Sequence, residues 1–120
     1  MPDVSKIVYK GKDIILVDYR GCADESEMIS TFRKAANIIF NYPSGVLVLI
    51  NFEGAYQTPN YMKAAREISK QTQPFVKKRA IVGLNNPSKL IILNTYNRIL
   101  GEKPIKPFKT PKEAKEWLVK

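Results

Sequence analysis

The side chains best placed to bind or react stand in one polar segment, residues 51–58, directly after five consecutive apolar residues at 46–50. An unbroken apolar run rich in β-branched residues is typical of a strand buried on both faces, at the centre of a helix-covered sheet. Ligands of open α/β sheets collect outside the carboxyl ends of such strands. We therefore expect any site in this chain to lie in residues 51–58. Its candidate ligand- or partner-binding residues are Asn51, Phe52, Glu53, Gly54, Tyr56 and Thr58, with Tyr61 just beyond them.

Groups that would support catalysis are scarce. The chain has no histidine and a single cysteine, Cys22. It therefore offers no Ser-His or Cys-His relay, no disulfide framework, and too few ligands for a zinc or haem site. Asp18 and Glu53 both stand near strand ends, but nothing in the sequence sets them at the separation that two catalytic carboxylates need. We expect a protein that is not an enzyme, with no catalytic residue, no metal and no cofactor, and with Cys22 as a small structural residue.

Charge divides the chain into two unequal halves. Residues 1–53 hold six Lys/Arg against seven Asp/Glu, whereas residues 54–120 hold fourteen against four, and the formal net charge is +9. A basic half can attract nucleic acid or an anionic membrane, and it can equally be a solvated, lysine-rich surface. The only true cluster is Lys77, Lys78 and Arg79, and no aromatic residues alternate with it as a stacking platform requires. We therefore do not expect nucleic acid as a partner, whereas peripheral contact with a membrane stays open.

Periodicity and capping signals predict five strands and four helices. Residues 6–10 and 14–19 are β-prone runs joined by a glycine-containing link, which predicts an antiparallel hairpin. An amphipathic helix follows Asp24 and stops at Pro43. Three more helices begin where a capping side chain precedes a first-turn proline, at Thr58-Pro59, Asn86-Pro87 and Thr110-Pro111. The strands that alternate with the helices are residues 46–50, 78–84 and 105–109, and Pro107 in the last one predicts a sheet edge.

The order β-β-α-β-α-β-α-β-α predicts a single α/β domain over residues 1–120. Crossovers of this length require parallel strands, so we expect a mixed, mostly parallel sheet of about five strands with helices packed against it as a sandwich. No apolar run approaches the roughly 20 residues of a membrane span, and the first residues do not open a signal peptide. We therefore expect a cytoplasmic protein.

In the second half of the chain, residues 78–83 read KRAIVG and residues 105–118 read IKPFKTPKEAKEWL. These two segments resemble the SpoIIAA-like bacterial branch of the STAS (anti-sigma-factor antagonist) superfamily. Members of that branch commonly carry a basic residue before an A-x-V-G strand and end with Phe, a short turn and an acidic-Ala-x-x-Trp-Leu helix. Those places are held here by Phe108, Glu113, Ala114, Trp117 and Leu118. The resemblance implies a STAS-like fold, which the order of elements with its opening hairpin also matches.

The resemblance also implies a regulatory role. In regulatory members of the superfamily, a partner kinase phosphorylates a serine at the start of the helix after the central strand, and that helix helps to bind the kinase. The Asp-Ser-Ser-Gly type of motif is absent here, and Thr58 is the only hydroxyl near the equivalent place. Thr58 is therefore the candidate phosphosite, although a role as helix N-cap is sufficient to explain it. The positive end of the helix would accept a phosphate.

Two functions from different classes follow. The first is a non-enzymatic bacterial regulatory or protein-interaction module, which acts through residues 51–58 and the next helix. Phe52, Tyr56 and Tyr61 are candidates for an exposed aromatic anchor for a protein partner, and each of them could equally pack in the core. The second is a domain that binds a small amphipathic or anionic, lipid-like ligand. It draws on the apolar run at residues 90–93, which cannot all face one narrow stripe. Such a run either lines a pocket or joins two copies as a homodimer.

Overall fold

The five strands form one sheet in which the spatial order repeats the order along the chain. The computed structural model describes residues 3–101 and 103–120. Its elements are β1 (Asp3–Tyr9), β2 (Lys12–Asp18), α1 (Glu25–Ile39), β3 (Val46–Asn51), α2 (Pro59–Thr72), a 3-10 turn (Gln73–Phe75), β4 (Val76–Val82), α3 (Pro87–Leu100), β5 (Ile105–Phe108) and α4 (Pro111–Leu118). Strand β1 pairs antiparallel with β2, and the other pairings are parallel. The predicted single α/β domain with a mixed, mostly parallel five-stranded sheet is confirmed.

Helices α1, α2 and α3 lie on one face of the sheet because each crossover moves the chain one strand further in the same direction. A right-handed β-α-β connection places its helix on one face of the sheet when the chain moves to the next strand on one side, and on the opposite face when it moves to the other side. All three crossovers move in the same direction, so their helices lie on the same face. Met28, Tyr61 and Leu93 from these helices share one core with the sheet. Helix α4 follows the last strand, and its Ala114 and Leu118 belong to a second core on the opposite face.

Strand β3 is the middle strand and is buried on both faces. All of its residues are buried. Val48 and Ile50 belong to the core beneath α1, α2 and α3, whereas Leu47 and Leu49 belong to the core beneath α4. The interpretation of residues 46–50 as a doubly covered central strand is confirmed. The strand shows no alternation of polar and apolar residues because neither of its faces meets water.

The helix starts also agree with the sequence prediction. At each start, one side chain accepts a hydrogen bond from the backbone amide three residues further on, and these N-caps are Asp24, Thr58, Asn86 and Thr110. Gly101, at φ +77°, ends α3 as predicted. Pro107 lies in β5 at the edge of the sheet, where a missing amide donor costs no ladder hydrogen bond.

Three strands begin earlier than their sequence patterns predict, among them β2, which begins at Lys12 rather than at residue 14. Strand β1 begins at Asp3 rather than at residue 6, and β4 spans Val76–Val82 rather than residues 78–84. The early residues are extended because they pair with a neighbouring strand: Asp3 is the register partner of Asp18, and Val76 that of Val46. A pairing of this kind leaves no mark on local propensity, which is why the boundaries were misplaced.

The second face of the sheet depends on α4, so we expect Leu118→Ala to destabilise the fold strongly. Leu118 is 1% exposed. Truncating a buried leucine to alanine removes about 2–5 kcal/mol from the free energy of unfolding. Leu90→Ala is the matched control, because Leu90 is 37% exposed, and its expected loss is below about 1 kcal/mol. Urea unfolding measures both values, and equal losses would contradict the assignment of α4 as an essential cover.

Candidate functional site

The carboxyl ends of β2, β3 and β4 meet at one edge of the sheet, and the candidate segment begins there. The register partners at this edge are Asp18, Asn51 and Val82. The amide of Phe52 donates to the carbonyl of Val82 at 2.9 Å, which continues the pairing beyond β3. Asn51 is buried, and its Oδ1 accepts from the amide of Glu53 at 3.1 Å. This side chain therefore turns the backbone and is not displayed to a partner.

Gly83 allows the loop after β3 to pass directly over the end of β4. A Cβ atom at this position would lie 2.4 Å from the backbone nitrogen of Glu53 and 2.8 Å from the carbonyl carbon of Phe52. The φ angle of Gly83 is +94°, which side-chain-bearing residues rarely adopt. Glu53 and Gly54 remain exposed above this crossing. The course of the loop is therefore fixed by the absence of a side chain at Gly83.

Phe52 and Tyr61 lie in the core, which is one of the two places that the sequence left open for them, so they are not part of an exposed aromatic anchor. They are 2% and 6% exposed. Phe52 continues the inward alternation of Val48 and Ile50, and Tyr61 lies on the inner face of α2. The ring centroid of Tyr19 is 5.5 Å from that of Phe52 and 5.6 Å from that of Tyr61, both edge to face. The Tyr61 hydroxyl donates to the Tyr19 hydroxyl at 3.0 Å, and burial raises the pKa of both phenols.

Tyr56 is the one aromatic residue of the predicted anchor that is displayed, with 69% of its surface exposed. The ammonium of Lys89, in the first turn of α3, lies 5.0 Å from the centroid of its ring. The same ammonium donates to the carbonyl of Ala55 at 3.0 Å, and Nε2 of Gln57 donates to the carbonyl of Lys89 at 3.2 Å. These contacts hold the loop against the start of α3. Local sequence patterns did not indicate them.

Helix α3 continues this exposed region with apolar side chains. Of the run at residues 90–93, only Leu93 is buried, as the sequence argument required of so wide a run. The exposed large apolar residues of this helix are Leu90, Ile91, Ile92 and Ile99, and the exposed polar residues Asn94, Thr95 and Arg98 lie between the first three and Ile99. Ile91 is the most open of them, at 64%. The loop after β3 thus leads onto α3 rather than onto the outer face of α2.

Thr58 is a partly buried N-cap with a carboxylate already beside it. Its Oγ1 accepts from the amide of Tyr61 at 3.3 Å. The Thr58 side chain and Nδ2 of Asn60, which donates to the Glu25 carboxylate at 3.1 Å, lower the pKa of Glu25 in α1. Glu25 therefore occupies the positive end of α2, where a phosphate on Thr58 would have to stand. Phosphorylation of Thr58 stays a prediction, and it would bring two anions together.

Asp18 and Cys22, two of the groups considered for catalysis, are not activated for it. Arg20 forms a bidentate ion pair with Asp18, in which Nε donates to Oδ1 at 2.9 Å and Nη2 donates to Oδ2 at 2.7 Å. This ion pair holds the pKa of Asp18 below its usual range, the opposite of what a general acid needs. Burial raises the pKa of the Cys22 thiol, which disfavours the reactive thiolate. Among residues 3–101 and 103–120, no group of three or more His, Cys, Asp or Glu is placed to hold a metal ion.

The basic cluster of the sequence does not form a patch, because successive side chains of a strand point to opposite faces. Lys78 turns towards α4, where its Nζ donates to the carbonyl of Trp117 at 3.0 Å. Arg79 turns to the other face and is buried. Lys77 alone among the three is exposed. The burial of Arg79 was not predicted from the sequence. The signal for it is the position of this arginine inside a strand that is covered on both faces.

A cavity of about 40 Å³ lies in the core beneath α2 and α3. Its lining is mostly apolar and includes Phe32, Ile50, Phe52, Met62, Leu93 and Tyr96. Gln57 also reaches it, and the Oε1 atom of Gln57 is buried without a hydrogen-bond partner in the described part of the chain. The loop after β3 therefore contributes to a cavity wall as well as to the surface.

A comparison of the chain with models of known protein families found no match, and comparisons with curated proteins and with solved structures found none either. Within the part of the chain that the structure describes, no helix combines the length and the apolar character needed to cross a membrane.

If Gly83 sets the course of the loop, Gly83→Ala should destabilise the protein far more than Gly54→Ala. Both glycines have positive φ angles, but a Cβ at Gly54 would meet nothing within 4 Å. Gly54→Ala therefore adds only backbone strain, of about 1–2 kcal/mol. Gly83→Ala adds a collision with backbone atoms as well, and we expect a loss of about 3 kcal/mol or more. Thermal and urea unfolding measure the difference, and similar losses for the two variants would contradict the close approach.

Thr58→Ala should lower the free energy of unfolding by about 1 kcal/mol, because it removes the cap of α2. The same substitution removes the hydroxyl that lowers the pKa of Glu25, so this pKa should rise towards its usual value in an NMR titration. Thr58→Ser keeps the hydroxyl and is the control. An alanine variant as stable as the wild type, with an unchanged Glu25 titration, would show that the hydroxyl has no capping role.

Proposed function

We propose that this protein is a non-enzymatic regulatory or protein-interaction module of the STAS type, as its resemblance to the SpoIIAA-like branch implies. The observation that carries the proposal is the exposed apolar region made by the loop after β3 and by α3. Tyr56 is 69% exposed and Ile91 64%. Single exposed apolar side chains are ordinary, but several on one surface are typical of a protein interaction site. The partner that this region fits is another protein surface.

The proposed contact region is ordered before a partner binds. Lys89 lies over the ring of Tyr56 and bonds the carbonyl of Ala55, while Gln57 bonds the carbonyl of Lys89. An aromatic side chain on a tethered loop has little conformational freedom left to lose on association. Tyrosine is also among the residues that most often dominate interface energies. Tyr56 therefore remains the aromatic anchor, without Phe52 and Tyr61.

Helix α3 replaces α2 as the second half of the proposed contact region. The outward side of α2 is solvated, and its exposed residues include Asn60, Lys63, Glu67 and Lys70. Helix α3 instead exposes branched apolar residues, and its only charged residues are Lys89 and Arg98. A partner that complements this helix would be apolar at its centre with acidic groups at its rim. A second copy of the chain would offer the apolar part without the acidic rim.

The test is a variant that removes the apolar character without disturbing the core, Tyr56→Gln combined with Ile91→Gln. We expect at least a tenfold weaker capture of the partner proteins that the wild type binds in a native bacterial lysate, with an unchanged unfolding midpoint. Val8→Gln is the matched control, because Val8 is 62% exposed but lies on β1, at the far side of the sheet.

Mass spectrometry of the captured proteins and sedimentation of the purified chain complete the test. Loss of a dimer in the double variant, but not in Val8→Gln, would identify a second copy as the occupant of the surface. Capture of the same proteins in the same amounts by the wild type and the double variant would refute the proposed contact region.

A second function, the binding of a small amphipathic ligand, draws on the apolar lining of the cavity beneath α2 and α3, whose volume of about 40 Å³ has room for roughly three or four water-sized groups. Ligand sites are concave and mostly apolar, with a few polar groups that fix orientation. Gln57 supplies a buried oxygen without a partner among the described residues. This function and the surface contact concern different parts of the molecule, so neither depends on the other.

A further inference from the structure

Lysines from separate parts of the chain meet at the amino ends of the parallel strands, on the face of the sheet that α4 covers. Two surface grooves lie there, with volumes of about 500 and 410 Å³. Lys12 lines the first groove, Lys103 and Lys106 line the second, and Lys77 and Lys78 line both. We refer to the two grooves and these five lysines together as the lysine groove.

An irregularity in the pairing of β3 with β4 brings two of these lysines to the same place. The register pairs Val46 with Val76 and the next residue of β3 with Lys78, so Lys77 is an inserted residue. A bulge of this kind interrupts the alternation of side chains between the two faces of a sheet. Gly45 leaves room for the insertion, because a Cβ atom there would lie 2.8 Å from Cγ of Lys77. The backbone therefore displays two adjacent lysines at one edge of the sheet.

The lysine groove keeps a strong positive charge, because the groups that hold its ammonium ions are neutral. Nζ of Lys12 donates to the carbonyl of Val119 at 3.2 Å, and Nζ of Lys103 donates to the carbonyl of Gln73 at 2.8 Å. The ion pairs found among residues 3–101 and 103–120 involve other cations. Among the described residues that line the two grooves, Asp13 is the acidic one, and even a second carboxylate would leave the five lysines in excess.

Capping of α4 explains only part of this gathering. The last carbonyls of a helix attract cations, which accounts for Lys12 and for Lys78, whose Nζ donates to the carbonyl of Trp117 at 3.0 Å. Lys77 and Lys106 are exposed and make no hydrogen bond or ion pair with the described part of the chain. Like charges at one edge repel one another, and a polyanion bound across them would remove that repulsion.

The second groove has an apolar floor beside its lysines. Trp117, in α4, lines this groove together with Pro104 and Pro107. Nζ of Lys78 lies 4.9 Å from the centroid of the Trp117 ring, and Nζ of Lys106 lies 5.4 Å from it. Proteins that bind single-stranded nucleic acid combine the same two features, a positive groove for the phosphates and aromatic rings on which bases stack.

We propose that the lysine groove binds single-stranded nucleic acid without regard to its sequence, with phosphates on the ammonium groups and a base against Trp117. Every nucleotide brings one negative charge and one flat base, which matches lysines beside an apolar floor. An acidic peptide has the charge but no regular supply of flat rings, and a bilayer surface does not enter a groove. The net charge of +9 favours association with a polyanion in general.

Local sequence did not indicate this site. Along the chain, only residues 77–79 form a basic cluster, and the fold adds Lys12, Lys103, Lys106 and Trp117 to it. The proposal is independent of the contact region at Tyr56 and α3, which lies on the other side of the sheet. Failure of one would leave the other standing.

Fluorescence of the whole chain tests the proposal, because Trp117 is its single tryptophan. Oligothymidylate, oligodeoxyadenylate and oligouridylate of about ten nucleotides are titrated at several salt concentrations. We expect all three to bind saturably and to quench the Trp117 emission. Each phosphate contact with a single strand contributes about −0.7 to the slope of log affinity against log salt, so three or four contacts predict a slope of about −2 to −3.

Lys77→Gln combined with Lys106→Gln removes two exposed charges from the lysine groove. We expect at least tenfold weaker binding at low salt, a slope shallower by about 1.4, and an unchanged unfolding midpoint. Lys63→Gln combined with Lys70→Gln is the matched control, because it removes the same net charge from exposed positions of α2. The control should weaken binding by less than about threefold, since salt screens charges that lie far from the ligand.

Several results would overturn the proposal. Equal losses in the two double variants would show that binding follows net charge and not the groove. Polyglutamate that binds more tightly than an oligonucleotide of the same charge would make the groove a site for an acidic protein. Tighter binding to phosphatidylglycerol vesicles would make it a membrane contact. Unchanged Trp117 emission in the complex would place the bases elsewhere, and no binding of any oligonucleotide would end the proposal.

Discussion

The structure depends on one constraint, the burial of β3 on both faces. Its side chains alternate between two separate cores, so neither face of the sheet can be left uncovered. Three crossover helices cover one face, and the other face has only α4, which contributes Ala114 and Leu118. This last helix has only eight residues, yet the burial of the second face of the sheet depends on it. The same double burial is what turns the arginine of the neighbouring strand, Arg79, into an interior group.

The order of the strands decides where this molecule can meet a ligand. In α/β sheets whose strand order reverses, the loops diverge at the carboxyl edge and leave a crevice there. Here the spatial order of the strands follows the chain without a reversal, so successive loops pack against each other instead. The backbone at Phe52 and Glu53 lies on Gly83 and closes that edge. The space inside, beneath α2 and α3, is an apolar cavity of about 40 Å³, and the surface proposed for a protein partner passes from Tyr56 onto α3.

Most of the fold could be predicted from the sequence because its signals are local. A capping side chain with a first-turn proline marks a helix start by itself, and an unbroken apolar run marks a central strand. The first residues of β1, β2 and β4 escaped prediction because cross-strand pairing makes them extended. The sequence left Phe52 and Tyr61 open between the surface and the core, although the alternation from Val48 to Phe52 indicated burial for Phe52. The tether between Tyr56 and Lys89 joins distant parts of the chain and could not be predicted.

Hydrogen exchange of the native protein, resolved by residue, tests the central constraint most directly. Amides at residues 47–50 are paired into the ladder between β2 and β4 beneath two cores, so they should exchange only when the whole domain unfolds, with the slowest rates in the chain. Amides of the edge strands β1 and β5 should exchange through smaller openings. Exchange of the β3 amides as fast as those of β5 would contradict a doubly buried central strand and the account built on it.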